Sequence, residues 1–134
     1  MTTKQILEDF MSVAVIGMSK NPSKPANEVP MLLSRHGYRI IPINPTADEI
    51  EGMKAYNSIA DVPNEIEILN VFRPSEEALE ITKQAVARKK EKGDIQVIWL
   101  QLGIENDEAK KLAEENGIEF VQDKCMKIEY QKNF

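Results

Sequence analysis

A chain of 134 residues, 42% hydrophobic and 29% charged, has the size and balance of one globular domain that buries a core without staples. Its formal net charge of −5 argues against nucleic acid as the main partner, because displacing counterions needs a basic face. A single cysteine excludes a disulfide framework within the chain, and no apolar run is long enough to span a bilayer, so the cytoplasm is the expected address.

The first segment, MTTKQILEDFMS, mixes charge through its apolar residues and lacks the core of a secretory leader. Ile6, Leu7, Phe10 and Met11 share a face of a short helix that Thr2 or Thr3 can cap. Val13 to Ile16 is apolar on both faces, as the centre of a parallel sheet requires, and Gly17 ends it. After a loop from Met18 to Pro25, the spacing of Val29, Leu32, Leu33 and His36 predicts a helix closed by Gly37, with Pro30 tolerated if it falls in the first turn. Tyr38 to Ile43 is the second strand and Ile66 to Phe72 the third. Ser75 with acids behind it starts a helix whose inner face is Ala78, Leu79, Thr82, Ala85 and Val86, stopped by Gly93. Ile95 to Leu100 is the fourth strand, Asp107 to Asn116 a further helix, and Ile118 to Val121 the fifth strand.

Strands and helices in this alternation pair in parallel with right-handed crossovers. The expectation is one α/β domain over residues 1–134, a Rossmann-like three-layer α/β/α arrangement with a five-stranded parallel sheet in the order 3-2-1-4-5. In such sheets ligands sit outside the carboxyl ends of the strands where the order reverses. That rule selects the loops after residues 16, 43, 72 and 100, with the one after 121 as a further candidate.

Those loops fail the dinucleotide tests. The positions of G-x-G-x-x-G hold Gly17, Ser19 and Pro22, and the second strand ends in Pro42-Ile43-Asn44-Pro45 rather than in a ribose-binding acid. The first loop still carries Ser19, Asn21 and Ser23 as hydrogen-bonding groups and Lys20 and Lys24 as charge, at the start of a helix. Arg73 can reach the same space. This chemistry suits a phosphorylated ligand, including one with phosphate on its ribose; solvated loop lysines are the plain alternative.

The ordered runs VAVIGMSKNPSKPANEV, GYRIIPINPTADEIEGMKAYNSIADVP, ILNVFRPSEE, VIWLQLGIENDEA and DKCMKIEY resemble the YccU-type CoA-binding protein family, from Val13 to Tyr130. That family is similar to the N-terminal CoA-binding domain of the succinyl-CoA synthetase alpha subunit. The resemblance implies coenzyme A (CoA) as ligand, lying across the strand ends. It implies that Gly17, Met18 and Ser19 form the turn under the nucleotide, and that Asn21 and Lys24 face its phosphates. It sets Pro42, Asn44 and Pro45 beside the adenosine, Val71, Phe72 and Arg73 beside the pyrophosphate and pantetheine start, and Gln101, Leu102 and Gly103 along the arm. Many relatives have arginine where this chain has Lys24, which keeps the charge without the bidentate fork. The implied role is a CoA or acyl-CoA binding module, a carrier, sensor or accessory subunit, rather than an enzyme in its own right.

Cys125 lies between Lys124 and Lys127, surroundings that favour a reactive thiol. A thiol or redox contact with CoA, and an enzyme acting on CoA thiols or thioesters through Cys125, are the sharper readings; an inert buried cysteine is the plain one. His36, the only histidine, belongs to the far end of its helix, where the dipole favours a cation, so it is no phosphohistidine. One His and one Cys without ligand spacing make no metal site. Phe72-Arg73 replaces the acceptor aspartate that a receiver domain needs, and a nicotinamide sensor lacks its glycines. Trp99 is expected in the core, with the Asp48–Glu51 acids and the Arg88–Lys92 run solvated. Tyr130 and Phe134 leave a protein partner or homo-oligomer open.

Overall fold

In the computed structural model, which describes residues 1–134, the apolar runs form a five-stranded parallel sheet. Its strands are β1 (Ser12–Ile16), β2 (Arg39–Ile43), β5 (Ile68–Val71), β6 (Val97–Leu100) and β7 (Glu119–Val121). β3 (Glu49–Ile50) and β4 (Met53–Lys54) form a separate hairpin between β2 and β5. Helices α1 (Thr3–Asp9), α2 (Pro25–Arg35), α3 (Ala78–Lys92), α4 (Asp107–Glu115) and α5 (Met126–Asn133) complete the chain.

The period of two along the strands divides the core into two layers. Val13, Val15, Ile40, Ile68, Val97 and Trp99 pack with residues of α1, α2 and α5 such as Leu7, Leu33 and Met126. Ala14, Ile41, Leu69, Val71, Ile98 and Leu100 pack with residues of α3 and α4 such as Ile81, Ala85 and Ala113. Trp99 is fully buried, as its place in the fourth strand predicts, and its Nε1 donates to the Lys124 carbonyl at 2.8 Å. Each buried Val, Leu, Ile or Met side chain of these layers stabilises the fold by about 1.5–3 kcal/mol.

The parallel α/β sheet is the expected one, but the placement of the third predicted strand differs. The observed order is β2-β1-β5-β6-β7, or 2-1-3-4-5 in predicted-strand numbers. The third strand pairs with the first, Val13 opposite Ile68 through Ile16 opposite Val71, instead of lying outside the second. Pro42 gives the physical reason. Arg39 and Ile43 bond toward β1, through Arg39 N–H to the Met11 carbonyl and Gly17 N–H to the Ile43 carbonyl, so Pro42 faces the opposite edge. A proline there has no N–H for another strand, which confines β2 to the sheet edge. The chain from residue 44 covers that edge, with Tyr56 N–H donating to the Pro42 carbonyl at 3.0 Å. The reversal of strand order now falls between β1 and β5.

Two local expectations also change, and one further helix appears. Arg88 is not on a solvated helix end: it is 4% exposed, and its guanidinium binds Asp94 and the carbonyls of Ile59, Val62 and Asn64. Pro30 lies in the second turn of α2 rather than the first. The segment after β7 is helical although its N-cap, Cys125, makes no side-chain cap bond. Tertiary contacts hold α5 instead: buried Met126, Thr3 Oγ1 donating to Glu129 Oε1 at 2.7 Å, and an ion pair from Lys127 to Glu28 on α2. Hydrogen bonding and charge from Lys127 hold the Glu28 carboxyl below its ordinary value of 4.5. Further along α5, Tyr130 packs at a tilt against His36, stacks on Phe134 and meets Tyr38 edge-on. No helix is long and apolar enough to cross a membrane.

Candidate functional site

The loop after β1 is the base of the site. Gly17 has φ +85°, and a Cβ there would stand 2.7 Å from the Phe72 carbonyl oxygen and 3.0 Å from Arg73 Cδ. Only glycine lets the β1 and β5 ends approach this closely. Fully buried Met18 accepts from Asn44 Nδ2 at its carbonyl, at 2.9 Å, which ties the β1 and β2 loops together. Pro30 contributes through what it lacks. Having no N–H, it leaves the Ala26 carbonyl four residues earlier without its helical partner, and Ser19 N–H donates to that oxygen at 3.2 Å. Asn27, 3% exposed, donates to the Ser19 carbonyl at 2.9 Å and to Glu51 Oε1 at 3.2 Å, pinning the loop to the hairpin.

Two cavities open at the strand ends. The larger, about 750 Å³, is lined by Gly17, Met18, Ser19, Asn44, Pro45 and Arg73 among the residues expected from sequence. The second, about 420 Å³, is lined by Phe72, Arg73, Gln101, Leu102 and Cys125. Both volumes are in the range of small-molecule sites. Arg73 borders the two. Its stem lies across Gly17, and its fork is bidentate to Glu77, with Nε to Oε1 at 3.2 Å and an Nη to Oε2 at 2.8 Å.

Five expected residues line neither cavity. Pro42 and Val71 are buried within their strands. Asn21 Oδ1 accepts from Ser23 N and Ser23 Oγ, so its carboxamide shapes the loop. Lys24 is an exposed N-cap of α2 without a side-chain cap bond. Gly103 donates its N–H to Asp123 Oδ1 at 2.7 Å, joining the β6 and β7 loops. Lys20 is also exposed and lines neither cavity.

Sequence reasoning missed Asn57 and Ser58 at the larger cavity, and Glu76, Glu77, Glu80 and Gln84, which line it together with Arg73. The acids recur at helical spacing, a pattern legible along the chain. Which wall that face meets follows from the strand order.

The second cavity has a polar end. Gln101 is 5% exposed; its Oε1 accepts from Asn70 Nδ2 and Met126 N, both at 3.4 Å, while its Nε2 donates to no group of the chain. Beneath it, Asn70 Oδ1 is the one buried side-chain polar atom without a partner. Cys125 is half-buried on the same cavity. Lys127 is engaged by Glu28, which leaves Lys124 as the free cation beside this cysteine in sequence. The His36 ring packs at a tilt against Tyr130, 4.7 Å between centroids, at the opposite end of α2 from this loop.

The lining residues suit a phosphorylated ligand in polarity. A cradle that a Cβ would fill, a cation between two consecutive cavities, and an apolar second cavity ending in a free amide and a thiol are all present. The three carboxylates on the larger wall are the discordant feature.

A family model described as a CoA binding domain matches residues 11–131. The chain is 37% identical over 125 residues to the uncharacterized protein YneT of Bacillus subtilis, covering 93% of this chain and 89% of that one. It is 36% identical over 105 residues to the ADP-forming acetate–CoA ligase II of Archaeoglobus fulgidus, covering 77% of this chain and 15% of the ligase. Among solved structures, the Thermus thermophilus protein cell-free ID.343 superposes with a TM-score of 0.90 at 33% identity, with all of both chains covered.

Proposed function

The chain belongs to the CoA-binding domain family, and on that premise we propose that it binds coenzyme A or an acyl-CoA as a non-catalytic carrier, sensor or accessory module. The observation that carries this reading is the pair of cavities joined at Arg73. Gly17, Met18, Ser19, Asn44 and Pro45 would hold the nucleoside, with the β1 loop and the α2 N-terminus toward its phosphates. Asn21 and Lys24 would act from the rim, at longer range than the sequence implies. Arg73 would meet the pyrophosphate. Phe72, Leu102 and Gln101 would receive the pantetheine arm, with Gln101 Nε2 free to donate to one of its carbonyls. When bound, CoA supplies a thiol for acyl transfer; nothing in the proposed role requires this chain to act on it.

Isothermal titration with CoA and acetyl-CoA tests the reading. Binding weakens about fivefold or more in Arg73→Ala, which removes a charge-assisted contact, and by less in Lys24→Ala. No binding of CoA or any acyl-CoA at millimolar concentration overturns it.

The placement of Cys125 and the unpartnered Gln101 amide on one cavity favours a second reading, an enzyme acting on CoA thiols or thioesters through Cys125. It requires turnover that disappears in Cys125→Ser while CoA binding survives.

A further inference from the structure

Arg73 is the only cation that lines either cavity, and the wall it shares with the larger one carries Glu76, Glu77 and Glu80. Glu77 takes two of the three guanidinium nitrogens with both of its carboxylate oxygens. The positive charge at the junction is therefore already neutralised, and an arriving diphosphate meets an acidic wall. The Arg73–Glu77 pair lies at the surface. Its partners are 47% and 43% exposed, so water screens it and it is weakly held. The Arg73 stem is fixed across Gly17 while the head remains outside the packed core. Glu77 lies in the 3₁₀ turn Ser75–Glu77 that leads into α3, where helix N-terminal amides favour a carboxylate after the arginine has left.

We propose that Glu77 is an internal competitor for Arg73: a carboxylate that occupies the anion-binding fork in the free protein and is exchanged for a ligand phosphate on binding. This rests on the reading above that a diphosphate-bearing ligand crosses the junction. Glu77 thereby sets the affinity and acts as a specificity-determining residue. Ligands without a phosphate at the junction leave the Arg73–Glu77 pair closed and gain nothing from the arginine.

The test is a double-mutant cycle read by titration with CoA. Glu77→Gln is expected to bind CoA about three- to fivefold more tightly than the parent, the scale of an exposed ion pair. Glu80→Gln, which removes an equal charge from the same wall without touching Arg73, is expected to change affinity less than twofold. In an Arg73→Gln background, where nothing remains to release, the gain from Glu77→Gln is expected to shrink to that of Glu80→Gln. If Glu77→Gln weakens binding, leaves it unchanged, or acts equally in both backgrounds, Glu77 is not a competitor and the proposal is overturned while the CoA reading stands. If the parent protein binds no CoA, both fall.

Discussion

Replacing Gly17 with alanine isolates the contact on which the site is built. Two effects combine. A non-glycine residue at φ +85° pays about 1–2 kcal/mol for the left-handed conformation. The new methyl would also stand 2.7 Å from the Phe72 carbonyl oxygen, inside any ordinary carbon–oxygen contact. Relief requires the β1 and β5 ends to separate. Moving the two ends apart strains the rung between them, Phe72 N–H to the Ile16 carbonyl at 2.9 Å, and, as the β1 end shifts, its rung to β2, Gly17 N–H to the Ile43 carbonyl at 3.0 Å, each worth about 1 kcal/mol net. The total is about 2–4 kcal/mol. With roughly 2.1 cal/mol/K of unfolding entropy per residue, a chain of this length loses about 7–14 °C in melting temperature. Gly93→Ala is the control. Gly93 ends α3 at φ +77° with no atom near its missing Cβ, so only the same backbone cost of about 1–2 kcal/mol applies. Thermal unfolding by circular dichroism measures both, and CoA titration follows the site. Gly17→Ala should melt well below Gly93→Ala and bind CoA weakly, because Arg73 is displaced. If the two variants melt within about 2 °C of each other, the close approach of β1 and β5 does not carry the energy assigned to it.

Arg88→Met leaves Asp94 buried and removes the donors to three carbonyls, so it should destabilise by about 3–5 kcal/mol; chemical denaturation showing less than 1 kcal/mol would refute that role. In the Arg88→Met/Asp94→Asn double variant part of the loss should return, because no unpaired charge remains. Burial pushes the Tyr38 hydroxyl up to about 12 from 10.0, and it donates to the Leu7 carbonyl. Above pH 10 the unfolded chain loses this proton first, so stability present below pH 10 declines as pH rises toward 12. Tyr38→Phe should flatten that decline in alkaline melts, and an unaltered slope would contradict the assignment.

The alternation of short apolar runs with helical spacings determined the α/β class by itself, because strands buried on both faces cannot be polar and crossover helices need one apolar stripe. The loops that hold the site were legible for the same reason. Pro42 carries an edge-strand signal as well, but the expected order 3-2-1-4-5 set that strand inside the sheet, and the backbone signal outweighs the topology prior. Other features depended on residues distant in sequence. Arg88 reads as one member of a basic run; only Asp94 and carbonyls from a separate segment make it a buried tie. Helix α5 has little pattern of its own and forms because α1, α2 and β6 supply its contacts. At the site, Gly17, Ser19 and Arg73 were identifiable from their types and spacing. That Arg73 bridges two cavities, with Glu77 already in its fork, was decided by the placement of β5 beside β1. Local chemistry specifies which groups can bind an anion; strand order decides which of them share one wall.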